Sequence, residues 1–318
     1  MSPNEVTATT RLVCASRASA LAMVQTRMVA ARLAERGIVT TILPIATTGD
    51  RERDRSIESI GSVNVFVGEL ESALRERRAD YAVHSCKDLP SALAGDMQIA
   101  AFSKREDARD AFCSKRYATF DDLPAGAIVG TSSPRRVFQL RAARPDIEYR
   151  TIRGNIDTRL RKLGDGEFDA IVLAMAGLRR LGTSARHVVP FSVDAVVPAV
   201  GQGALAVETR AGDDWIAEQI RLSVNDAASE LCIRVERAAL RAMQAGCSAP
   251  LGIFAECGAD GCDVRGVADA EPIVRVRKNA AVSDAGDAEA LGTAVAAELQ
   301  SALRRDEAAS HAEGSSNL

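Results

Sequence analysis

The chain of 318 residues is 47% hydrophobic and 26% charged, which is typical of a soluble globular protein of roughly two or three domains. Its 40 basic and 43 acidic residues nearly cancel, and the net charge of -3 argues against a nucleic-acid-binding or anionic-membrane-binding protein. No segment approaches the roughly 20 apolar residues of a membrane span, and the polar stretch MSPNEVTATT lacks a signal-peptide core, so a cytoplasmic protein is predicted.

The cysteines are scattered and odd in number, which favours reduced thiols over a disulfide framework. The segment CGADGC, residues 257–262, would bind a metal only with ligands from elsewhere, and the chain has just three histidines, so no metal site is predicted. The seven cysteines are Cys14, Cys86, Cys113, Cys232, Cys247, Cys257 and Cys262.

The first part of the chain alternates between strand and helix patterns. RLVCAS predicts a strand, a helix follows from Ser19 and ends before Gly37, and TILPIATTG predicts a second strand. A further helix over VFVGELESALRERRAD leads into the strand YAVHS. The apolar face of the first helix is predicted at Leu21, Val24, Met28 and Ala31, and that of the second at Phe66, Leu70 and Leu74.

The middle of the chain repeats this alternation, with strands AIVGTSS, IEYRTI and FDAIVLA and helices PRRVFQLRAARP, a segment from Asn155, and AGLRRLG. Such alternation predicts a mostly parallel sheet and an α/β fold. VPAVGQGALAVETR suits a passage between domains, and from about residue 225 a helix, short strands and a last helix predict a smaller α+β domain. The predicted domains are 10–104 with 204–223, then 108–200, then 226–306, and the two tails, MSPNEVTATT and EAASHAEGSSNL, are expected to be disordered.

Ionisable residues collect where predicted strands end. Lys87 and Asp88 follow YAVHS, residues 131–136 follow the next strand, and Arg179 and Arg180 follow FDAIVLA. In open α/β sheets, ligands bind outside the carboxyl ends of the strands. We therefore expect these residues to line one binding cleft.

The segment GTSSPRR predicts an anion site. Ser133 can cap a helix that begins at Pro134, which leaves backbone N–H groups beside two hydroxyls, Arg135 and Arg136. RGNIDTR repeats the pattern, and several arginines in one cleft indicate a ligand with several acidic groups.

Each residue also has a plainer interpretation. An arginine pair can be a solvated helix face, Asp88 a helix cap, His84 a satisfied core histidine and Cys86 a small packing residue. Neither a nucleotide-binding glycine fingerprint nor a P-loop is present.

Eight segments, taken in order, resemble the porphobilinogen deaminase (hydroxymethylbilane synthase) family over roughly residues 10–305. They are SRASALAMVQT, AVHSCKDLP, REDARDAF, GTSSPRR, RGNIDTRL, DAIVLAMAGLRRLG, PAVGQGAL and AGCSAPLG. The resemblance implies two α/β domains similar to periplasmic binding proteins and a smaller α+β C-terminal domain. It also implies a monomer whose small-molecule substrate is porphobilinogen.

The activity implied by the resemblance is a transferase reaction. Four porphobilinogen units are joined with loss of ammonia on a covalent dipyrromethane cofactor, and hydrolysis releases hydroxymethylbilane. Cys247 in AGCSAPLG matches the cysteine that holds the cofactor through a thioether, which suits a thiolate as nucleophile. Asp88 matches the catalytic aspartate, which stabilises the cation left by ammonia loss and moves protons.

The resemblance also assigns the binding residues. Arginine forks that pair with acetate and propionate groups are the common element. The residues assigned to the cofactor are Cys247, Lys87, Asp88, Ser133, Arg135, Arg136 and Phe66. Those assigned to the substrate are Arg17, Ser19, Arg153, Arg159, Arg180, Thr131, Ser132 and Gln202.

One segment departs from the family pattern. Where the family typically has Gly-Gly-Lys-Gly-Leu-Phe and a further lysine, this chain reads IGSVNVFVGELE, with Ser62, Val63, Asn64 and Gly68 at the altered positions. The change leaves a second hypothesis open, a paralogue that binds oligopyrroles but turns over slowly or on a modified pyrrole. A nutrient-binding protein of the same two-domain layout is disfavoured by the missing export signal and by a third domain with its own cysteine.

Overall fold

The computed structural model describes residues 10–46, 67–246 and 249–315, with side chains described up to residue 306. The first sheet has the strand order β2-β1-β3-β10-β4. β1 runs parallel to β2 and β3, whereas β10 is antiparallel to both β3 and β4. Its elements are β1 (Arg11–Arg17), α1 (Ala20–Ala34), β2 (Val39–Ile45), α2 (Gly68–Arg75), β3 (Tyr81–Ser85), a 3₁₀ turn (Cys86–Asp88), β4 (Met97–Phe102) and β10 (Leu205–Arg210).

The second sheet has the order β7-β6-β8-β5-β9 and repeats the same design. β6 is parallel to β7 and β8, and the one antiparallel strand, β5, lies between β8 and β9. The predicted mostly parallel arrangement is therefore confirmed for both sheets. The elements are β5 (Asp110–Ser114), β6 (Ile128–Gly130), α3 (Pro134–Ala143), β7 (Glu148–Arg150), α4 (Ile156–Gly164), β8 (Ala170–Ala174), α5 (Met175–Leu181) and β9 (His187–Pro190).

The chain crosses between the two sheets twice. The first crossing, residues 103–109, leads from β4 into β5, and the second, residues 191–204, leads from β9 back into β10. In each sheet, the antiparallel strand is the one that follows a crossing. This placement brings both crossings beside the ends of β3 and β8, where the ionisable residues lie.

The last part of the chain is an antiparallel sheet, β11-β12-β13, packed against two helices. Val235, Ile253, Val264 and Leu299 are fully buried at this contact. The α/β class with a smaller α+β C-terminal part is confirmed. The elements are α6 (Asp214–Val224), which packs on the first sheet through Ile220, then α7 (Ala227–Ala242), β11 (Leu251–Gly258), β12 (Gly261–Ala268), β13 (Val274–Ala280) and α8 (Ala285–Ser315).

Burial explains the sequences of the central strands. β8, AIVLA, lies between helices, so nearly all of it is apolar. β3 carries a buried imidazole, His84, whose Nε2 lies 2.9 Å from Oε2 of Glu208 in the protein interior. His84 is thus a satisfied core histidine, as its plainer interpretation predicts.

The predicted apolar face of α1 is wrong. Met28 is 45% exposed, whereas Val29 and Leu33 are buried. Two polar residues share the buried face because they are hydrogen-bonded there: Gln25 with Ser85, and Thr26 with Ser16. The periodicity of apolar residues alone could not include them.

Two further predictions are corrected. Cys257 and Cys262 form a disulfide rather than two thiols, because the β11–β12 hairpin places them directly opposite each other. Cys14, Cys86, Cys113 and Cys232 are free thiols, as predicted. α8 continues to Ser315, so most of the C-terminal tail that we expected to be disordered is helical. Within the described ranges, no helix is both long and apolar enough to cross a membrane.

Candidate active site

The turn after β3 places Lys87 and Asp88 at the carboxyl end of that strand. Cys86 N–H donates to the carbonyl of Ala204 at 3.0 Å, which anchors the turn to the second crossing of the chain. Cys86 itself is 1% exposed and packs in the interior, whereas Lys87 and Asp88 are half-buried. Gly201 has φ +69, and a Cβ there would clash with the Cys86 side chain, so glycine permits this close approach.

A buried aspartate on the second sheet holds both predicted arginines. Asp110, the first residue of β5, lies 2.7 Å from Arg135 Nη1 and 2.6 Å from Arg136 Nη2. All three side chains are buried, so the solvated-face interpretation of the arginine pair is wrong. Burial acts to raise the pKa of Asp110, but the two guanidinium groups outweigh it and hold that pKa well below its usual range.

Backbone carbonyls complete the arginine geometry. Arg135 Nη1 donates to the carbonyl of Val197 at 2.6 Å, and Arg136 Nη1 donates to the carbonyl of Val172 at 2.8 Å. Both guanidinium groups are therefore fixed before any ligand arrives, which reduces the entropic cost of binding an anion.

Gln202 connects Lys87 to this cluster. Its Nε2 donates to Asp110 Oδ1 at 2.9 Å and to the Ala108 carbonyl at 2.7 Å, and its Oε1 accepts from Lys87 Nζ at 3.3 Å. Burial lowers the pKa of Lys87 to about 8, and repulsion from Arg136 adds to the effect while Asp88 opposes it. An anion that enters this site would raise the pKa of Lys87 and stabilise its charged form.

The start of α4 adds two more arginines to the same electrostatic field. Asn155 caps the helix through its Oδ1, which accepts from Thr158 N–H at 2.9 Å, and Arg159 Nε donates to the carbonyl of Gly154 at 2.8 Å. Burial, with repulsion from Arg136 and Arg153, lowers the pKa of Arg159 to about 10. The structure thus brings Arg136, Arg153 and Arg159 close together.

Arg180 reaches the cleft from α5. Its Nη2 donates to the carbonyl of Gly203 at 2.5 Å, while its buried Nε has no hydrogen-bond partner among the described residues. Burial lowers the pKa of Arg180, and Glu106 partly offsets this. A buried donor without an acceptor is costly in a protein interior, so this nitrogen suits a ligand oxygen.

The hydroxyl groups predicted to bind the ligand differ in whether they already form hydrogen bonds with the protein. Ser132 Oγ donates to the Ile152 carbonyl at 2.6 Å, and Thr131 Oγ1 accepts from Ser133 N–H at 3.3 Å. α3 begins at Pro134 with Ser133 at its N-cap position, as predicted, but the Ser133 side chain makes no capping bond. The prediction of a side-chain cap is therefore wrong, because Ser133 Oγ is not turned to the helix N–H groups.

Two predicted substrate residues lie at the first sheet. Arg17 is the last residue of β1, half-buried, at the same sheet edge as the end of β3. Ser19 caps α1, since its Oγ accepts from Ala22 N–H at 3.3 Å.

Phe66 and Cys247, together with Ser62, Val63 and Asn64, lie outside the described residues, and Gly68 is the first residue of α2.

Reasoning from the sequence missed two acidic residues. Asp110 sits in REDARDAF, where one aspartate among several carries no local signal of its partners in α3. Glu236 joins both crossings of the chain to its C-terminal part: it lies 2.6 Å from Arg105 Nη1 and accepts from the N–H groups of Gly201 and Ala255. Its position on the buried face of α7, among Cys232, Ile233 and Leu240, is the signal that could have found it, because a buried carboxylate is normally paired.

The arrangement can bind a polyanion and move protons. Lys87, Arg153 and Arg159 form no salt bridge with any described residue, so their charges are available to carboxylates. Asp88 makes no hydrogen bond within the described ranges, which leaves its carboxylate to act on a ligand. The described side chains include no group of three or more metal-binding residues.

Solved structures similar to part of this chain include two methionine-binding proteins. A putative methionine-binding lipoprotein from Bacillus subtilis is 13% identical with a TM-score of 0.43, and covers 69% of this chain and 92% of its own. The methionine-binding protein MetQ is 10% identical, also at a TM-score of 0.43, and covers 67% of this chain and 89% of its own. These TM-scores are below the level at which a shared fold is inferred.

Two family models and the sequence relatives of this chain indicate the same protein family. The model described as "Porphobilinogen deaminase, dipyromethane cofactor binding domain" matches residues 12–218, and "Porphobilinogen deaminase, C-terminal domain" matches residues 230–301. A porphobilinogen deaminase of Albidiferax ferrireducens is 44% identical over 92% of this chain and 94% of its own. One of a Roseiflexus species is 45% identical over 91% and 95%. The chain therefore belongs to the porphobilinogen deaminase family.

Proposed function

We propose that this protein is a hydroxymethylbilane synthase in which Asp88 is the catalytic carboxylate and Cys247 carries the dipyrromethane cofactor. The chain joins four porphobilinogen units on that primer and releases the linear tetrapyrrole. The observation that carries the proposal is the half-buried Asp88, without a hydrogen-bond partner among the described residues, beside a cluster of fixed cations.

The described residues fit a polycarboxylate cofactor. The dipyrromethane would supply the pyrrole carbon to which the first substrate unit is joined. Arg135 and Arg136 are already oriented by Asp110, and an approaching anion would stabilise the charged form of Lys87. Lys87, Ser133, Arg135 and Arg136 would hold the carboxylates of the cofactor, with Phe66 packing on its rings.

Asp88 would act on the substrate in two ways. Porphobilinogen loses ammonia to leave a cation, and a fixed carboxylate lowers the free energy of that cation without reorganising solvent. The same carboxylate would give a proton to the departing amine and accept the proton lost by the attacked pyrrole carbon. Because Asp88 makes no hydrogen bond with another described residue, both tasks leave the rest of the site undisturbed.

The remaining arginines would bind the growing chain. Arg153, Arg159 and Arg180 approach the cleft from the second sheet, and burial lowers the pKa of Arg159 and Arg180, which an incoming carboxylate would reverse. Each added unit brings two carboxylates, so a spread of guanidinium groups suits successive positions. The other proposed substrate contacts are Arg17, Ser19, Thr131, Ser132 and Gln202.

The hypothesis of a binding paralogue receives no support from the relatives. They are named porphobilinogen deaminases, and their matches cover more than nine-tenths of this chain. We propose further that the protein acts as a monomer in the cytoplasm, in keeping with a small-molecule substrate enclosed by one chain. Gel filtration at micromolar concentration would test the first point, and cell fractionation the second.

The test of the activity is direct. The purified full-length protein is incubated with porphobilinogen, and both ammonia and uroporphyrinogen are measured, the latter forming when hydroxymethylbilane closes. Four ammonia molecules for each tetrapyrrole support the proposal. Tight binding of porphobilinogen without ammonia release would contradict it and favour the paralogue.

A further inference from the structure

A cavity of about 380 Å³ lies outside the proposed active site, between the loop after the 3₁₀ turn, β4, and the helices α7 and α8. None of the residues assigned to cofactor or substrate lines it. Its wall is apolar on one side and basic on the other: Leu93, Ile99 and Phe102 face Arg234, Arg237 and Arg241. The volume falls within the roughly 300–1,000 Å³ of small-molecule sites.

The arginines share one face of α7 but differ in how their charge is balanced. Arg234 lies 2.7 Å from Glu230, and Arg241 lies 2.5 Å from Glu289, which also lines the cavity. Arg237 forms no salt bridge with any residue that the structure describes. Its Nη2 donates only to backbone carbonyls, those of Pro90 at 3.0 Å and Ser91 at 3.3 Å.

Arg237 is 6% exposed, and that burial makes its unbalanced charge unusual. A cation removed from water without a paired counter-ion is costly. Burial lowers the pKa of Arg237 and repulsion from Arg241 adds to the effect, while Cys86 and Glu208 oppose it without forming a salt bridge with Arg237. An anion in the cavity would supply the missing charge. The apolar wall opposite would at the same time favour a ligand with a flat, apolar body.

We propose that this cavity is a second binding site, for a small aromatic monocarboxylate whose carboxylate pairs with Arg237 and whose ring packs on Leu93, Ile99 and Phe102. Arg234 and Arg241 already have carboxylate partners, so one negative charge on the ligand is sufficient. The proposal goes beyond porphobilinogen turnover, because it concerns residues that the active site does not use.

The test uses 2-naphthoate as the probe and 2-naphthamide as its uncharged match, titrated into the full-length protein by calorimetry without porphobilinogen. We expect one naphthoate per chain, bound about tenfold or more tightly than naphthamide, since a hydrogen bond to a charged group is worth about 1.5–3 kcal/mol. Absence of binding, or equal affinity for the two probes, would overturn the proposal. Either result is independent of catalytic activity.

Two matched variants locate the bound probe. Ala92 lines the cavity and is exposed, so Ala92→Glu places a competing carboxylate at the cavity while Ala92→Gln has the same shape without the charge. We expect naphthoate to bind about tenfold or more weakly to Ala92→Glu and within about twofold of wild type to Ala92→Gln. Equal affinity in both variants would place the probe elsewhere, such as the active-site cleft, and would refute the site.

Arg237→Gln tests the anchoring residue. We expect the same loss of affinity as in Ala92→Glu, whereas Arg32→Gln, which removes an exposed arginine of α1 paired with Glu35, should bind naphthoate as wild type does. If Arg237→Gln does not fold, the Ala92 pair still decides the question.

Discussion

The two sheets of similar design each place an aspartate at the cleft, and the two aspartates are in opposite surroundings. Asp110, at the start of β5, is fully buried and held by Arg135 and Arg136. Asp88, after β3, is half-buried and makes no hydrogen bond with the other described residues. The same side chain therefore has a structural task on one side of the cleft and is available for chemistry on the other.

The difference shows how a cleft can be strongly cationic without being unstable. Asp110 balances two guanidinium groups in the interior, where an unpaired charge would be most costly. Toward the cleft, Lys87, Arg153 and Arg159 lack salt-bridge partners within the described ranges, and Arg136 repels both Lys87 and Arg159, which a bound anion would offset. Stability thus depends on the carboxylate of Asp110, and ligand affinity on the cations that lack a paired carboxylate.

The largest expected effect is on turnover. Asp88→Ala should lower the rate of ammonia release by about a thousandfold, because general acid–base catalysis by a positioned group contributes roughly 10²–10⁴-fold. Its free energy of unfolding should change by no more than about 0.5 kcal/mol, since no described partner is lost. Steady-state kinetics and urea unfolding measure the two quantities. A variant with wild-type turnover would remove Asp88 from the catalytic role.

Asp110→Asn should show the opposite behaviour in stability. Removing one partner of a buried charge cluster should lower the free energy of unfolding by about 3 kcal/mol, because both arginines keep their charge in the interior. The matched comparison is Asp88→Asn, which makes the same chemical change at the aspartate of the first sheet. Equal stability of the two variants in urea would contradict the contrast between the two aspartates.

Arg153→Leu should weaken binding of the growing chain or slow one elongation step by about tenfold, the effect of losing one charge-assisted hydrogen bond. Rapid-quench kinetics that resolve the successive additions measure this. Arg161→Leu is the control, because Arg161 is an exposed arginine of α4 paired with Asp165. Unchanged rates at every step in Arg153→Leu would exclude its proposed role.

The smallest expected effect is on pH dependence. Lys87 is charged below its pKa of about 8, so anion binding to the protein should weaken severalfold as pH rises through that value. Lys87→Arg keeps its charge and should move this loss to higher pH, which titration of substrate affinity against pH would detect. An unshifted profile would mean that another group titrates.

The lowered pKa of Lys87 also makes the free energy of unfolding depend on pH. This quantity should rise with pH, whereas anion binding should weaken. The pKa of Lys87 is about 8 in the folded protein and 10.5 ordinarily. Between about pH 8 and pH 10.5 the unfolded chain therefore binds more protons at Lys87 than the folded protein does. The contribution of Lys87 to the free energy of unfolding should therefore rise with pH in that window. Lys87→Met should remove the rise.

Local patterns predicted most of the fold and much of the cleft. Strand-to-helix alternation, the starts of helices at Ser19 and Asn155, and the position of Lys87 and Asp88 after a strand depend on neighbours in the chain. Asp110 and Glu236 were not predicted because their partners are distant in sequence, Arg135 for Asp110 and Arg105 for Glu236. The buried face of α1 was mispredicted since Gln25 and Thr26 are buried through hydrogen bonds rather than apolarity.

The central proposal is that Cys247 carries the oligopyrrole on which this cleft acts. Mass spectrometry of peptides from the holoenzyme, before and after one equivalent of porphobilinogen, tests it most directly. We predict two pyrrole units on the peptide that contains Cys247 and a third after the addition, with Cys86 and the other free thiols unmodified. Pyrrole units on a different cysteine, or an unmodified Cys247 in an active enzyme, would contradict the account.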